Sequence, residues 1–189
     1  MTQGAPPQAR GILFDRDGTL VVDVPFNAEP ARVEPLPTAI EAVRRAREAG
    51  LRVGVATNQP GIGGGELSRD ALDRVNARID ELVGPFDDWF VCPHAKDAGC
   101  DCRKPAPGLI EQAARAWGLT PGELALIGDT KADLGAASSA GAQGVLVPNE
   151  RTLPEEVTRA PRSAATLLDA VELLLAPAAA DERLAGVPS

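Results

Sequence analysis

All three cysteines of the chain and its single histidine fall between Cys92 and Cys102. Random placement would group four residues that tightly on the order of once in a thousand chains, so the cluster needs a chemical cause. An odd cysteine count, with no secretion signal at the N-terminus, argues against a disulfide framework and for metal binding. Cys92, His94, Cys100 and Cys102 form a Cys₃His set, which closes a tetrahedral structural Zn²⁺ site and leaves no open position for catalysis. A second group is acidic: Asp15 and Asp17 follow one short apolar run, and Asp129 follows another. Near them in any compact fold would stand Thr57-Asn58, at the end of a third apolar run, and Arg103-Lys104 directly after the last cysteine. An aspartate carboxylate is a competent nucleophile toward phosphorus. Asp15 and Asp129 offer the hard oxygens that Mg²⁺ prefers. Asp17 can protonate a leaving oxygen and later take a proton from water. Thr57 and Asn58 can hold phosphoryl oxygens, and Lys104 supplies fixed positive charge. A lone Asp after a strand is a turn residue about three times in four; several on one edge make a site.

The elements that must position these residues are legible as alternation. GILFD (11–15), LRVGVATN (51–58), DWFVCP (88–93), LALIGD (124–129) and GVLVP (144–148) are short apolar runs of strand type. Between them the spacing predicts helices. One opens at a Thr38/Glu41 capping box, carries Ile40 and Val43 and stops at Gly50. Another is capped by Ser68, with Leu72, Val75, Ile79 and Leu82 in a stripe. A third spans Pro105 to Trp117, with Leu109, Ile110, Ala113 and Trp117 inward. A small-residue helix ends at Gly141, and a last one spans Ala164 to Ala176. Strand–helix alternation predicts an α/β fold, a three-layer Rossmann-like sandwich with a parallel central sheet, and ligands gather beyond the carboxyl ends of such strands. Those ends carry Asp15-Arg16-Asp17, Thr57-Asn58 and Asp129.

Read in order, FDRDGTL (14–20), ATN (56–58), RKP (103–105) and GDTKADL (128–134) resemble the four motifs of the haloacid-dehalogenase-superfamily phosphatases. The resemblance spans about residues 11–148. It implies Asp15 as nucleophile, Asp17 as general acid/base, Thr57 as phosphate binder and Lys104 as charge stabiliser. It further implies Mg²⁺ held by Asp15, the Asp17 backbone carbonyl and Asp129, with Asp133 behind them. CPHAKDAGCDCRKPAPGL (92–109) resembles the zinc loop of the heptose-bisphosphate phosphatases and of the related histidinol-phosphatase domain, and TNQPGI (57–62) fits the same pattern. The chain departs from it at GGGEL (63–67), where Ala-Arg-Gly and an aromatic are common. The short segment between Leu20 and Thr38 leaves no room for a large cap domain. Arg103, with its planar fork, suits a second phosphate of the substrate.

Composition bounds the rest. A chain of 189 residues fits one domain, read here as residues 10–176 between a flexible leader (1–9) and a disordered tail (177–189). The 44% hydrophobic content includes 32 alanines, which suits close helix-on-sheet packing. A net charge of −8 argues against nucleic-acid binding, and no apolar run reaches membrane-spanning length. The sequence thus reads as a cytoplasmic, monomeric phosphatase of a small phosphorylated metabolite, a sugar bisphosphate in the first place and histidinol phosphate as the alternative. Two readings of another class are a phospho-Asp receiver and a non-catalytic zinc-binding interaction module.

Overall fold

The computed structural model describes residues 8–176. Five strands, β1 (Gly11–Phe14), β2 (Arg52–Asn58), β3 (Asp88–Cys92), β4 (Leu124–Gly128) and β5 (Gln143–Leu146), form one sheet in the order β3-β2-β1-β4-β5. Every pairing is parallel. Successive residues of a strand face opposite sides, so each strand feeds two cores. Ile12, Phe14, Val53, Val55, Ala125, Ile127 and Val145 pack toward α1 (Ala39–Glu48), α3 (Arg69–Val83) and α7 (Leu167–Leu175). Leu13, Ala56, Leu124 and Leu126 pack toward α4 (Gly108–Trp117) and α5 (Lys131–Ala140). This is the expected three-layer α/β sandwich. Two short helices, α2 (Pro60–Gly64) and α6 (Pro154–Arg159), were not expected from periodicity. Residues 21–37 hold a 3₁₀ turn at Pro30–Arg32 and an antiparallel bridge between Val21 and Pro35, and no cap domain stands there.

The start of α1 differs from the capping-box expectation. Thr38 lies in the left-handed region (φ 63°), caps nothing with its side chain, and its Oγ1 is buried without a hydrogen-bond partner. The inward stripe is Ala39, Ala42, Val43 and Ala46, at i, i+3, i+4 and i+7. Ile40 falls one residue off that stripe and is 48% exposed. Ser68 does cap α3, accepting from the Ala71 N–H at 3.2 Å. Helix α4 begins at Gly108 rather than Pro105, because Ala106 precedes Pro107 and is steered away from helical ψ. Ala9, assigned to the leader, is buried in the core; the rest of that leader through residue 7, and the tail from 177, lie outside the described residues. No helix among the described residues is long and apolar enough to cross a membrane.

Two glycines explain how an indole fits between α4 and the sheet. The Trp117 ring lies against Gly11 and Gly54, stacks edge-on with Phe90 at 5.8 Å, and donates its Nε1–H to Asp88 Oδ2 at 2.7 Å. A Cβ on Gly54 would sit 2.9 Å from both Asp88 O and Trp117 Cζ2. Gly54→Ala should therefore cost about 1–3 kcal/mol through overpacking. Denaturant unfolding should show a lower midpoint at an unchanged slope.

Candidate active site

Phe14 pairs with Val55 and with Ile127, so the next residues outward at the carboxyl edge are Asp15, Ala56 and Gly128, followed by Thr57 and Asp129. Lys104 reaches this edge from the connection between β3 and α4. It is buried, and its Nζ lies 2.6 Å from Asp15 Oδ1 and 2.7 Å from Asp133 Oδ1 while donating to Ala56 O at 2.7 Å. Asp133 stands in the first turn of α5, where its other oxygen accepts from Thr130 N at 3.1 Å and Thr130 Oγ1 at 2.6 Å. That carboxylate lies against Gly128, where a Cβ would be 2.3 Å from Asp133 Cγ. Only glycine admits Asp133 here.

Asp15, Asp129 and Asp133 each offer an oxygen, all within 4.8 Å of one another. Three carboxylates against the one ammonium of Lys104 leave a surplus of two negative charges. Burial pushes Asp15 up to about 8; Lys104 pulls it back, while Asp133 and Asp129 push further. Burial and Asp133 raise Asp129 too, against its hydrogen bond from Asn149. Lys104 is held protonated despite burial by Asp133 and Asp15. A divalent cation matches this surplus, and the hard oxygen donors are those that Mg²⁺ takes.

Asp17 stands outside that carboxylate group. Its oxygens accept from Arg16 Nε at 3.0 and 3.1 Å and from Gln59 Nε2 at 2.8 Å. Arg16 is itself buried and anchored on α3 by Asn76 Oδ1 at 3.0 Å. Gln59 Nε2 also donates to Thr57 Oγ1 at 2.9 Å, which leaves the Thr57 hydroxyl hydrogen available to another acceptor. The Gly18 N–H donates to Val21 O at 2.8 Å. In a trans peptide this turns the Asp17 carbonyl to the opposite side, outside the turn's own hydrogen bonds.

The sulfurs and His94 Nδ1 form a second compact group. Cys92 Sγ is 3.6 Å from His94 Nδ1 and from Cys100 Sγ, His94 Nδ1 is 3.2 Å from Cys102 Sγ, and Cys102 Sγ is 3.7 Å from Cys100 Sγ. Sulfurs about 2.3 Å from a tetrahedral Zn²⁺ lie roughly 3.8 Å apart, so these spacings fit one ion. Burial pushes the Cys102 thiol up to about 12, with Cys92 and Cys100 adding to it. A bound cation would reverse that. Gly63 of α2 supports the loop: its N–H donates to Pro93 O at 2.8 Å, and a Cβ would meet Ala95 N at 2.5 Å.

A HAD-hydrolase-like family model matches residues 101–174. The D-glycero-beta-D-manno-heptose-1,7-bisphosphate 7-phosphatase of Pseudomonas aeruginosa is 38% identical over 141 residues, 72% of this chain and 79% of the relative. The Pseudomonas putida enzyme of the same name is 38% identical over 156 residues, 77% of this chain and 88% of the relative. The chain belongs to the haloacid-dehalogenase superfamily of phosphatases. The crystal structure of D,D-heptose 1,7-bisphosphate phosphatase from B. bronchiseptica, complexed with magnesium and phosphate, superposes on this HAD phosphatase with a TM-score of 0.76. It is 30% identical and covers 87% of this chain and 98% of that one.

The HAD fold brings Asp15, Thr57, Lys104 and Asp129 to one edge, whereas two carboxylates differ from the expectation: Asp133, expected behind the others, stands among them, and the Asp17 side chain is turned to Arg16 and Gln59. Asn58, expected to hold phosphoryl oxygens, grips the Lys104 backbone: Nδ2 donates one hydrogen to Lys104 O at 3.1 Å and Oδ1 accepts from Lys104 N at 3.0 Å. Arg103 is half-buried beside it, and its Nη1 is enclosed without a hydrogen-bond partner. Gln59 and Asn149 escaped the sequence reading. Gln59 had a sign, since it lies two residues beyond Thr57 in a nearly extended stretch; Asn149 had none.

The raised Asp15 has a pH consequence. A carboxyl with a folded pKa above its unfolded value stabilises the protein at low pH and loses that contribution as pH rises toward about 8. Asp15→Asn removes this loss. In magnesium-free buffer, its unfolding free energy minus that of the unmutated protein should grow from pH 5 to pH 8. Urea titrations at both pH values give the difference, and a flat one contradicts the assignment.

Proposed function

We propose that this chain is a Mg²⁺-dependent phosphomonoesterase working through an aspartyl-phosphate, with D-glycero-D-manno-heptose 1,7-bisphosphate or a similar sugar bisphosphate as substrate. The observation that carries the reading is the buried Lys104 bridging Asp15 and Asp133 beside Thr57 and Asp129. Asp15 attacks phosphorus, and the bond from phosphorus to the ester oxygen breaks. Asp17 gives a proton to that oxygen, then takes one from the water that hydrolyses the acyl-phosphate. The Thr57 hydroxyl donates to one phosphoryl oxygen, and the Lys104 ammonium neutralises charge on the transferred group. Bound Mg²⁺, held by Asp15, Asp129 and the Asp17 carbonyl, would supply charge neutralisation at the phosphoryl oxygens. Asn58 keeps Lys104 in place through the backbone.

The substrate follows from the relatives and from the zinc loop. Zn²⁺ on Cys92, His94, Cys100 and Cys102 would be structural and would fix where the side chains of Arg103 and Lys104 begin. The planar fork of the half-buried Arg103 suits a second phosphate. A cleft of about 390 Å³, bounded in part by Gly18, Val22 and Leu36, opens beside Asp129. The enzyme is read as monomeric and cytoplasmic, with a domain that begins at Ala9, which packs in the core, and runs to residue 176.

The test is phosphate release from sugar bisphosphates, sugar monophosphates, histidinol phosphate and an aryl phosphate, with acid trapping of phosphate on Asp15. Turnover of the heptose bisphosphate well above histidinol phosphate supports the substrate; no turnover of any ester ends the reading. Arg103→Ala should lower kcat/KM on the bisphosphate roughly ten- to a hundredfold, the loss of a charge-assisted contact. The aryl monophosphate should be nearly unaffected, and a proportional drop on both would remove Arg103 from recognition. Elemental analysis should find one zinc per chain. Cys100→Ser should release it and lower the melting temperature, since structural zinc binding is folding free energy.

A further inference from the structure

Asp129 is held from behind by a turn in which nothing in the sequence suggested a function. Asn149 Nδ2 carries two hydrogens and uses both, donating to Asp129 Oδ2 at 2.8 Å and to Gly18 O at 2.9 Å. Its Oδ1 accepts from Arg151 N at 2.8 Å, which fixes the amide's orientation. Its own N–H donates to Thr152 Oγ1 at 2.9 Å, and that hydroxyl donates to Asp129 O at 2.8 Å. One short turn therefore grips both the carboxylate and the carbonyl of Asp129. It also grips the backbone one residue past Asp17. Gly18 has φ 79°, and a Cβ there would stand 2.6 Å from Asp129 Oδ2 and 3.0 Å from Asn149 Nδ2, so the three groups are in contact. Arg151 pairs with Asp23, tying the same turn to the chain that follows Thr19. With Oδ2 occupied, Asp129 Oδ1 keeps one long contact, 3.4 Å from Thr19 Oγ1.

We propose that Asn149, backed by Thr152, is the positioning residue of the magnesium site: it joins the Asp15–Gly18 half to the Asp129 half and holds the Asp129 carboxylate oriented for the cation. The proposal rests on the phosphatase reading, in which these two halves share one Mg²⁺. Groups that orient a metal ligand typically change metal affinity about 10- to 100-fold when removed.

Calorimetric titration with MgCl₂ tests this on the full-length, zinc-loaded protein, comparing Asn149→Leu and Thr152→Val with the unmutated chain. Asn149→Leu should weaken the Mg²⁺ dissociation constant about tenfold or more, Thr152→Val by less, and both should keep their zinc. The concentration of Mg²⁺ giving half-maximal phosphate release should rise in step. A Leu variant with a lowered melting temperature but an unchanged Mg²⁺ constant makes Asn149 merely structural and overturns the proposal. Should Asn149→Leu fail to fold, Thr152→Val decides alone, and an unchanged constant there has the same force. Absence of Mg²⁺ binding by the unmutated chain would overturn both this proposal and the phosphatase reading, whereas equal binding by all three proteins overturns this one only.

Discussion

A buried ammonium among buried carboxylates is the constraint around which this molecule is arranged. Lys104 has almost no contact with water, so its charge must be met by protein groups, and Asp15, Asp133 and the Ala56 carbonyl meet it. Those partners overshoot. With Asp129 alongside, the pocket holds more carboxylates than Lys104 can balance, and burial first, then Asp133 and Asp129, push Asp15 up against the pull of Lys104. Such a pocket is poorly settled by itself and well settled around a divalent cation. The imbalance is thus a property of the site's chemistry rather than a defect of packing.

Holding a lysine in that position takes structure from far along the chain. Lys104 does not lie on a strand or a helix; it lies in the connection from β3 to α4. Three devices make that connection definite. The sulfurs and the imidazole gather within it, the Asn58 amide grips the Lys104 backbone on both sides, and Gly108 N–H donates to Asp101 O at 3.0 Å where α4 begins. Gly63 lets α2 lie directly on the loop backbone. The Cys/His cluster is followed at once by Arg103-Lys104, so the gathered loop sets the origin of both cationic side chains.

The second theme is division of labour between side chains that touch the reacting atoms and those that touch the first group. Gln59 serves Asp17 and Thr57 with one nitrogen, Arg16 ties Asp17 to α3 through Asn76, and Asn149 serves Asp129 and Gly18. Each of these residues is buried or half-buried, and each uses hydrogen-bonding capacity that would be costly to leave unmet.

The sequence by itself determined the strands, through short apolar runs, and the edge at which chemistry gathers, since parallel strands present all their carboxyl ends together. It also singled out Asp15, Thr57, Lys104 and Asp129, which meet at that edge, and the four residues of the Cys/His cluster, which lie together. It could not determine which polar side chain would meet which backbone group. Thr38 looked like a helix cap and is not one, because the chain enters α1 through a left-handed turn. Nothing local told that Asn58 would hold Lys104, 46 residues away, or that Asn149 would hold Gly18, 131 residues away. Local pattern reports hydrophobic periodicity, which is a property of neighbours along the chain. A hydrogen bond across such separations depends on sub-ångström placement of whole layers, and only the packed tertiary structure decides that.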